Sequence, residues 1–173
     1  MPDVLIKLYA LPDVSVQDAR LTDAGVVVRR ALPAERQVIL DWVHATFGPR
    51  WASEAAVALA AQPTRCWVAV QLGEAPDAPT SPYTLPTETL LGFACFDAVR
   101  KGLFGPLGVR EASRGRGLGT VLLVRTLGDM GGQGYAYAVA GWVGSVDFYE
   151  KTVGAAVIPG SEPGLFRGPL VPE

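Results

Sequence analysis

The sequence has few of the residues that bind metals or form disulfides. Among its 173 residues there are one histidine, His44, and two cysteines, Cys66 and Cys95. A metal site rich in histidine is therefore excluded, and we expect no metal cofactor. Each cysteine lies inside a strand-like segment, which favours buried, reduced thiols over a disulfide or a nucleophilic role.

Long apolar runs and an excess of basic residues are also missing. No apolar run reaches about 18 residues, so no membrane span is expected. Residues 1–12 lack the basic and then apolar pattern of a signal peptide. The formal net charge of −2 argues against a nucleic acid as the main partner. These absences favour a cytoplasmic protein without membrane or nucleic-acid partners.

What is present is typical of one globular domain, which we place over residues 1–173. Hydrophobic residues make up 49% of the chain and charged residues 18%, a balance with which a chain of this length buries a substantial core. Residues 1–24 form an N-terminal lead-in segment, within which residues 4–11 could also be a strand. Residues 74–88 are rich in proline and are predicted to be a surface loop.

The other segments alternate between short strands and helices. The predicted helices are residues 35–47, 53–61, 117–130 and 146–152. The predicted strands are residues 26–30, 65–71, 89–98, 103–109, 135–140, 155–158 and 165–168. An antiparallel meander that leads into a strand–loop–helix–strand unit is typical of a mixed α/β (α+β) layer fold, not of a doubly wound sheet. Ser53 is the predicted cap of the second helix, and Gly105-Pro106 predicts a bulge or an exposed edge in its strand.

The most specific segment is the glycine-rich run RGRGLGT, from Arg114 to Thr120, between a strand-like and a helix-like segment. The first turn of a helix has free N–H groups and a partial positive charge, which favour an anion such as phosphate. The spacing does not fit a Walker loop. It also fails the dinucleotide fingerprint Gly-x-Gly-x-x-Gly, because Thr120 stands at the third glycine. The remaining pattern is Arg-x-x-Gly-x-Gly, matched by Arg114, Gly117 and Gly119.

A second motif, Phe148-Tyr149, follows about 30 residues after this loop. With the loop and the interrupted strand before it, residues 26–168 resemble the GNAT superfamily of N-acetyltransferases. The resemblance implies a mixed, mostly antiparallel sheet of about six to seven strands with helices on both faces. It also implies a splay between the fourth and fifth strands, which are residues 103–109 and 135–140 in the count that starts at residue 26. Acetyl-CoA is the implied co-substrate, and a homodimer is a further expectation because dimers are common among similar proteins.

The resemblance also implies roles for particular residues. The main chain of Leu107, Gly108 and Val109 would contact the pantetheine arm of acetyl-CoA. The loop would hold the pyrophosphate through Arg114, Gly115, Arg116, Gly117, Leu118, Gly119 and Thr120. Ser145 and Phe148 complete the predicted cofactor site. Ser145 or a backbone group would replace an asparagine that the superfamily often carries before the tyrosine.

Tyr149 is the residue that the resemblance makes the general acid for the departing CoA thiolate. A tyrosine hydroxyl ordinarily titrates near 10, and a thiol near 8 to 9, so proton transfer between them is plausible. Many members of the superfamily place a glutamate on the fourth strand as the base, but the strand 103–109 contains no acid. Asp97 and Glu54 are the candidates for the base, and each could equally be an ordinary surface carboxylate.

The acceptor is predicted to be a primary amine of an unidentified small molecule, attacked without a covalent enzyme intermediate. Trp51, Phe96, Phe104 and Trp142 could line its pocket, or they could belong to the core. Residues 144–160 resemble uncharacterised bacterial members of the superfamily, so the resemblance implies a reaction type and no particular acceptor. Two alternatives remain at this point, a non-catalytic CoA-binding or sensory module and a nucleotide binder of another class. Tyr149 favours catalysis over the sensory module.

Overall fold

The computed structural model describes residues 1–73 and 87–164. These residues form a seven-stranded sheet in the order β2-β3-β4-β5-β6-β1-β7. The strands are β1 (Val4–Lys7), β2 (Val26–Arg30), β3 (Cys66–Leu72), β4 (Glu88–Phe96), β5 (Leu103–Val109), β6 (Tyr137–Ala140) and β7 (Ala156–Val157). The helices are α1 (Ser15–Asp23), α2 (Arg36–Phe47), α3 (Pro49–Ala60), α4 (Leu118–Gly132) and α5 (Val146–Val153). All neighbouring strands are antiparallel except β5 and β6, which confirms the mixed, mostly antiparallel fold.

The N-terminal segment, for which the sequence left two interpretations open, contributes both β1 and α1. β1 lies between β6 and β7, with Val4 opposite Ala140 on one side and Val157 on the other. Its residues alternate between buried and exposed, as expected of a strand covered on one face. The predicted strand 165–168 lies outside the described residues, and so does the predicted loop 74–88 except for its last two residues.

The start of α3 differs from the prediction. The helix begins at Pro49, not after Ser53. Gly48 has φ 97°, which ends α2 and lets the chain turn, and proline is well suited to the first position of a new helix. The Ser53 hydroxyl donates to the Pro49 carbonyl at 3.0 Å within the helix instead of capping it. The earlier start adds Arg50 and Trp51 to the helix, and both line the candidate site described below.

The core has two parts, one on each face of the sheet. One part contains buried side chains of α1 and α4, and the other contains those of α2 and α3. Cys66 on β3 and Cys95 on β4 are directly opposite each other. Both are fully buried and free, as the sequence predicts. Burial raises the pKa of the Cys95 thiol well above its usual value, so the thiolate needed for nucleophilic chemistry is disfavoured.

β5 departs from its neighbours at the interruption seen in the sequence. Leu107 lies opposite Ala94 and Phe104 opposite Phe96, so two residues on β5 are accommodated against one on β4. Gly105 and Pro106 therefore form the predicted bulge. On the other side, β5 pairs with β6 only at Leu103 and Phe104. Beyond that point the two strands separate, which confirms the splay between these two strands.

Candidate functional site

The separated part of β5 presents backbone groups that pair with no strand of the described residues. The Arg110 N–H donates to the Leu91 carbonyl at 2.9 Å, so residues 110 and 108 point their polar backbone groups toward β4. Alternation in an antiparallel ladder then turns the N–H groups of Leu107 and Val109 the other way, toward the splay. The Val109 carbonyl accepts a bond from Arg114 Nε at 3.3 Å. An extended ligand in the splay would meet the Leu107 and Val109 backbone as a strand would.

The glycine-rich loop joins β5 to α4 and leaves its amides open. Gly117 is the N-cap of α4 with φ 83°, and Gly115 has φ 76°, both in the left-handed region that favours glycine. From Gly115 to Thr120, no backbone N–H donates to a backbone carbonyl within residues 1–73 and 87–164. A Cβ at Gly115 or Gly117 would meet nothing within 4 Å. The loop therefore forms an open row of donors at a helix N-terminus, the arrangement that binds phosphate.

A cavity of about 640 Å³ extends from this loop along β5. It is lined by eleven of the twelve predicted cofactor residues: Leu107, Gly108, Val109, Arg114, Gly115, Gly117, Leu118, Gly119, Thr120, Ser145 and Phe148. Arg116 is exposed and does not line it. Phe47, at the end of α2, lines the cavity as well and could not be identified from the sequence pattern. A Cβ on Gly108 would come within 2.7 Å of the Phe47 ring, so this glycine is needed for the close packing of the cavity wall.

A second cavity, of about 480 Å³, adjoins the first. Four residues line both cavities: Trp51, Leu107, Ser145 and Phe148. The first cavity contains the glycine-rich loop, and the second contains Glu54 and Tyr149. An anionic ligand held by the loop could therefore reach, through the shared wall, the two titratable groups of the second cavity.

Tyr149 lies on α5 with its ring held between aromatic neighbours. The ring makes edge contacts with Phe104 and Phe148, at centroid distances of 6.3 and 5.3 Å. Burial raises the pKa of the Tyr149 hydroxyl to about 12. The hydroxyl is therefore neutral at physiological pH and is a hydrogen-bond donor at the cavity. This pKa is higher than the ordinary tyrosine value on which the sequence-based expectation depends. The hydroxyl is therefore better suited to donating a hydrogen bond to developing negative charge than to complete transfer of its proton.

Glu54 lies on α3, and its partner Arg50 lies one turn before it. Arg50 Nε is 3.3 Å from Glu54 Oε1, and the Glu54 side chain is only 17% exposed. Burial raises the pKa of the Glu54 carboxyl, and the charge of Arg50 partly opposes that effect. Arg50 also lies over the Trp142 ring, 4.8 Å from its centroid. The sequence does not single out Arg50, because its i, i+4 spacing to Glu54 is equally common on solvated helix surfaces.

Asp97, the other candidate base, lies elsewhere. Its side chain lines neither cavity. Its oxygens accept bonds from the Gly102 N–H and the Tyr135 hydroxyl, both at 2.8 Å, and Arg65 lies 3.5 Å away. Asp97 has φ 53° and holds the turn between β4 and β5. These partners occupy the Asp97 carboxylate within that turn, which favours a structural role over proton transfer.

The four aromatic residues that were candidates for the acceptor pocket fall into two groups in the structure, one at the second cavity and one in the core. Trp51, Phe104 and Trp142 line the second cavity. Phe96 is fully buried and belongs to the core. The two interpretations, pocket wall and core, therefore each apply to part of the set.

A metal-binding cluster and a membrane-spanning helix are both absent from the described residues. Within residues 1–73 and 87–164, no group of three or more His, Cys, Asp or Glu side chains could hold a metal ion. Over the same residues, no helix has the length and apolar character needed to cross a membrane.

No family model and no curated protein matches the sequence. Solved structures do share the fold. One is the GCN5-related glucosamine N-acetyltransferase region of a fungal multi-domain GH3 β-N-acetylglucosaminidase, with TM-score 0.66 and 16% identity over 91% of this chain and 19% of that chain. Another is a GCN5-related N-acetyltransferase from Sphaerobacter thermophilus, with TM-score 0.61 and 20% identity over 91% of this chain and 48% of that one.

A Drosophila protein gives TM-score 0.56 and 12% identity, over 91% of this chain and 47% of that one. The chain thus spans between 19% and 48% of the lengths of these three proteins. At such identities the likeness concerns the backbone and not the chemistry of particular side chains. The chain has the fold of the GCN5-related N-acetyltransferases.

Proposed function

We propose that the protein transfers an acetyl group from acetyl-CoA to the primary amine of a small-molecule acceptor by direct attack. The observation that carries the proposal is the pair of adjoining cavities, one at the anion-binding loop and one at Glu54 and Tyr149, which share the wall at Leu107 and Ser145. Acetyl-CoA supplies an activated thioester whose carbonyl carbon accepts the amine. The remaining steps depend on what the residues of this chain provide.

The first cavity is suited to a long ligand with a phosphate group. The open amides from Gly115 to Thr120 and the Arg114 side chain would hold the pyrophosphate. The N–H groups of Leu107 and Val109, which point into the splay, would bind the amide-containing pantetheine arm. The thioester would then reach the wall that the two cavities share.

The second cavity would supply the proton chemistry. An alkyl amine has a pKa near 10 and is mostly protonated at neutral pH, so a base has to remove a proton before attack. Glu54 is the carboxylate among the described residues of this cavity and would accept that proton, directly or through water. The neutral Tyr149 hydroxyl would donate a hydrogen bond to the sulfur as the thiolate leaves.

Calorimetry with acetyl-CoA, CoA and ATP, followed by CoA release from a panel of amines, tests this proposal. We expect acetyl-CoA and CoA to bind and ATP to bind much more weakly, because only the former have a pantetheine arm for the splayed strand. Binding of ATP without CoA would identify a nucleotide-binding site of another class. Binding of CoA without turnover of any amine would identify a non-catalytic CoA-binding module.

Two arginines of the same loop provide a matched test of cofactor binding. Arg114 lines the first cavity and Arg116 does not, although both are exposed. Arg114→Ala is expected to raise the Kd for CoA by roughly five- to tenfold, since a charged hydrogen bond to phosphate contributes about 1 to 1.5 kcal/mol at an exposed site. Arg116→Ala should change Kd less than twofold. Equal effects of the two substitutions in calorimetry would mean that only the net charge of the loop matters.

The proposed base predicts the direction of a pH effect. Glu54 must be ionised to accept a proton, so the acidic limb of kcat/KM should lie above the ordinary glutamate pKa of 4.5, because burial raises the pKa of Glu54. Arg50→Met removes a charge that lowers this pKa, and the limb should therefore move to still higher pH. Glu54→Gln should lose the limb together with most of the activity. A limb unchanged in both variants would assign the proton transfer to another group.

A further inference from the structure

The side chains that line the second cavity favour a particular kind of acceptor. Aromatic rings approach it from three elements: Trp51 from α3, Phe104 from β5, and Tyr149 from α5. Trp142, in the segment between β6 and α5, adds a fourth ring. Several rings around about 480 Å³ favour a flat apolar group, because aromatic pairs gain stability beyond the area that they bury.

The charged groups of this cavity favour an acceptor that carries a single positive charge. Among the described residues that line it, Glu54 is the one carboxylate. Two residues of the lining bring a positive charge: Arg50, which lies 3.3 Å from that carboxylate and over the Trp142 ring, and Met1, whose amino group is 3.0 Å from Glu162 Oε1. A polyamine would bring further cations without partners. An amino acid would bring a second carboxylate close to Glu54, and Arg50 or the Met1 amino group could neutralise it only by leaving its present partner.

The polar groups of the lining are few. Apart from Glu54 and Arg50, the described side chains that carry a hydroxyl at this cavity are Ser145 and Tyr149. A sugar amine has several hydroxyl groups, and each one buried without a partner costs roughly 1 to 3 kcal/mol by the protein scale. An acceptor with an amine and an otherwise apolar body leaves no such group unpaired.

We therefore propose that the acceptor is an arylalkylamine, a single primary amine joined by a short alkyl chain to an aromatic ring. This inference rests on the proposed acetyl transfer. The amine would lie toward Glu54 and the shared wall, and the ring would lie against the aromatic side chains. In the reaction the neutral amine nitrogen bonds to the carbonyl carbon, the bond from that carbon to sulfur breaks, and CoA leaves as a thiolate that accepts a hydrogen bond from Tyr149. The ammonium loses two protons: Glu54 takes the first before attack and passes it to solvent, and takes the second as the amide forms.

The test compares amines of different classes at saturating acetyl-CoA. The probes are 2-phenylethylamine, phenylalanine, glucosamine, spermidine and butylamine, and the readout is kcat/KM from CoA release. We expect 2-phenylethylamine to exceed each of the others by at least tenfold. A kcat/KM for phenylalanine, glucosamine or spermidine equal to or above that of 2-phenylethylamine would overturn the acceptor class while supporting acetyl transfer. Absence of any acetyl-CoA binding would overturn acetyl transfer itself.

A variant of the cavity wall provides a second measurement. Trp142 lines the second cavity and not the first, so Trp142→Leu should leave the Kd for acetyl-CoA unchanged. The ratio of kcat/KM for 2-phenylethylamine over butylamine should fall by between about twofold and tenfold, the range of an aromatic pair. An unchanged ratio in a folded Trp142→Leu protein would contradict the proposal. It would also be contradicted if the wild-type protein bound acetyl-CoA but did not acetylate 2-phenylethylamine.

Discussion

Replacing Tyr149 with phenylalanine is expected to lower kcat by about a hundredfold or more, within the range of roughly 10²- to 10³-fold that is lost when one hydrogen-bond donor to developing charge is removed. The substitution removes the hydroxyl and keeps the ring, so the edge contacts with Phe104 and Phe148 are retained. Tyr149 lines the second cavity and not the first. The Kd for acetyl-CoA should therefore stay within twofold of the wild-type value, which calorimetry and steady-state kinetics together can check.

The pKa of Tyr149 adds a second readout to this prediction. The hydroxyl must be protonated to donate, and burial raises its pKa to about 12. Activity should therefore show no decline due to Tyr149 up to about pH 11. A decline of kcat that is centred near pH 10 in the wild type and is absent from Tyr149→Phe would show that the hydroxyl ionises as an ordinary tyrosine.

Tyr135 offers the matched control. Its hydroxyl donates to Asp97 at 2.8 Å in the turn between β4 and β5, and it lines neither cavity. Tyr135→Phe should cost about 1 kcal/mol of unfolding free energy, the contribution of one hydrogen bond, with little effect on kcat. If both tyrosine variants lost kcat equally, the effect would come from stability and not from a proton donor. If Tyr149→Phe kept wild-type kcat, Tyr149 would have no catalytic role.

The sequence predicts the parts of the fold that depend on local pattern. Residues 26–30 and 103–109 are strands with the predicted bounds. The first is indicated by its β-branched residues and the second contains the Gly105-Pro106 interruption, and both signals are local. The glycine loop is equally local, since left-handed φ angles at Gly115 and Gly117 determine its path. The parts of the fold that depend on pairing with distant segments are harder to predict from the sequence. β1 is a strand because it fits between β6 and β7, which no pattern within residues 1–24 specifies.

The candidate site shows the same limit for the carboxylates. Asp97 and Glu54 could not be distinguished by residue type or by their positions at the ends of elements. The structure separates them by their partners. The Asp97 carboxylate accepts hydrogen bonds from the Gly102 N–H and the Tyr135 hydroxyl. Glu54 instead faces a cavity, and among the described residues it has an ion pair with Arg50. The start of α3 at Pro49, which is earlier than the sequence predicts, brings Arg50 to that cavity.

Replacing Gly117 with glutamate is expected to reduce acetyl-CoA binding by at least a hundredfold. Gly117 is the N-cap of α4 and lines the first cavity, so a carboxylate there would oppose the helix dipole and repel the pyrophosphate. Two like charges about 4 Å apart near a surface repel by about 4 kcal/mol, which corresponds to roughly a thousandfold in Kd. Calorimetry with CoA gives the direct measurement.

Two control variants separate the charge from the backbone. Gly117 has φ 83°, so any side chain is strained there by roughly 1 to 2 kcal/mol, although a Cβ meets nothing within 4 Å. Gly117→Ala carries the same strain without the charge and should weaken CoA binding by no more than about tenfold. Gly128→Glu adds the same charge at an exposed position of α4, where a Cβ also meets nothing within 4 Å, and should leave Kd unchanged. Loss of binding that is as large in Gly117→Ala as in Gly117→Glu would attribute the site to loop geometry alone, and retained binding in Gly117→Glu would place the phosphate elsewhere.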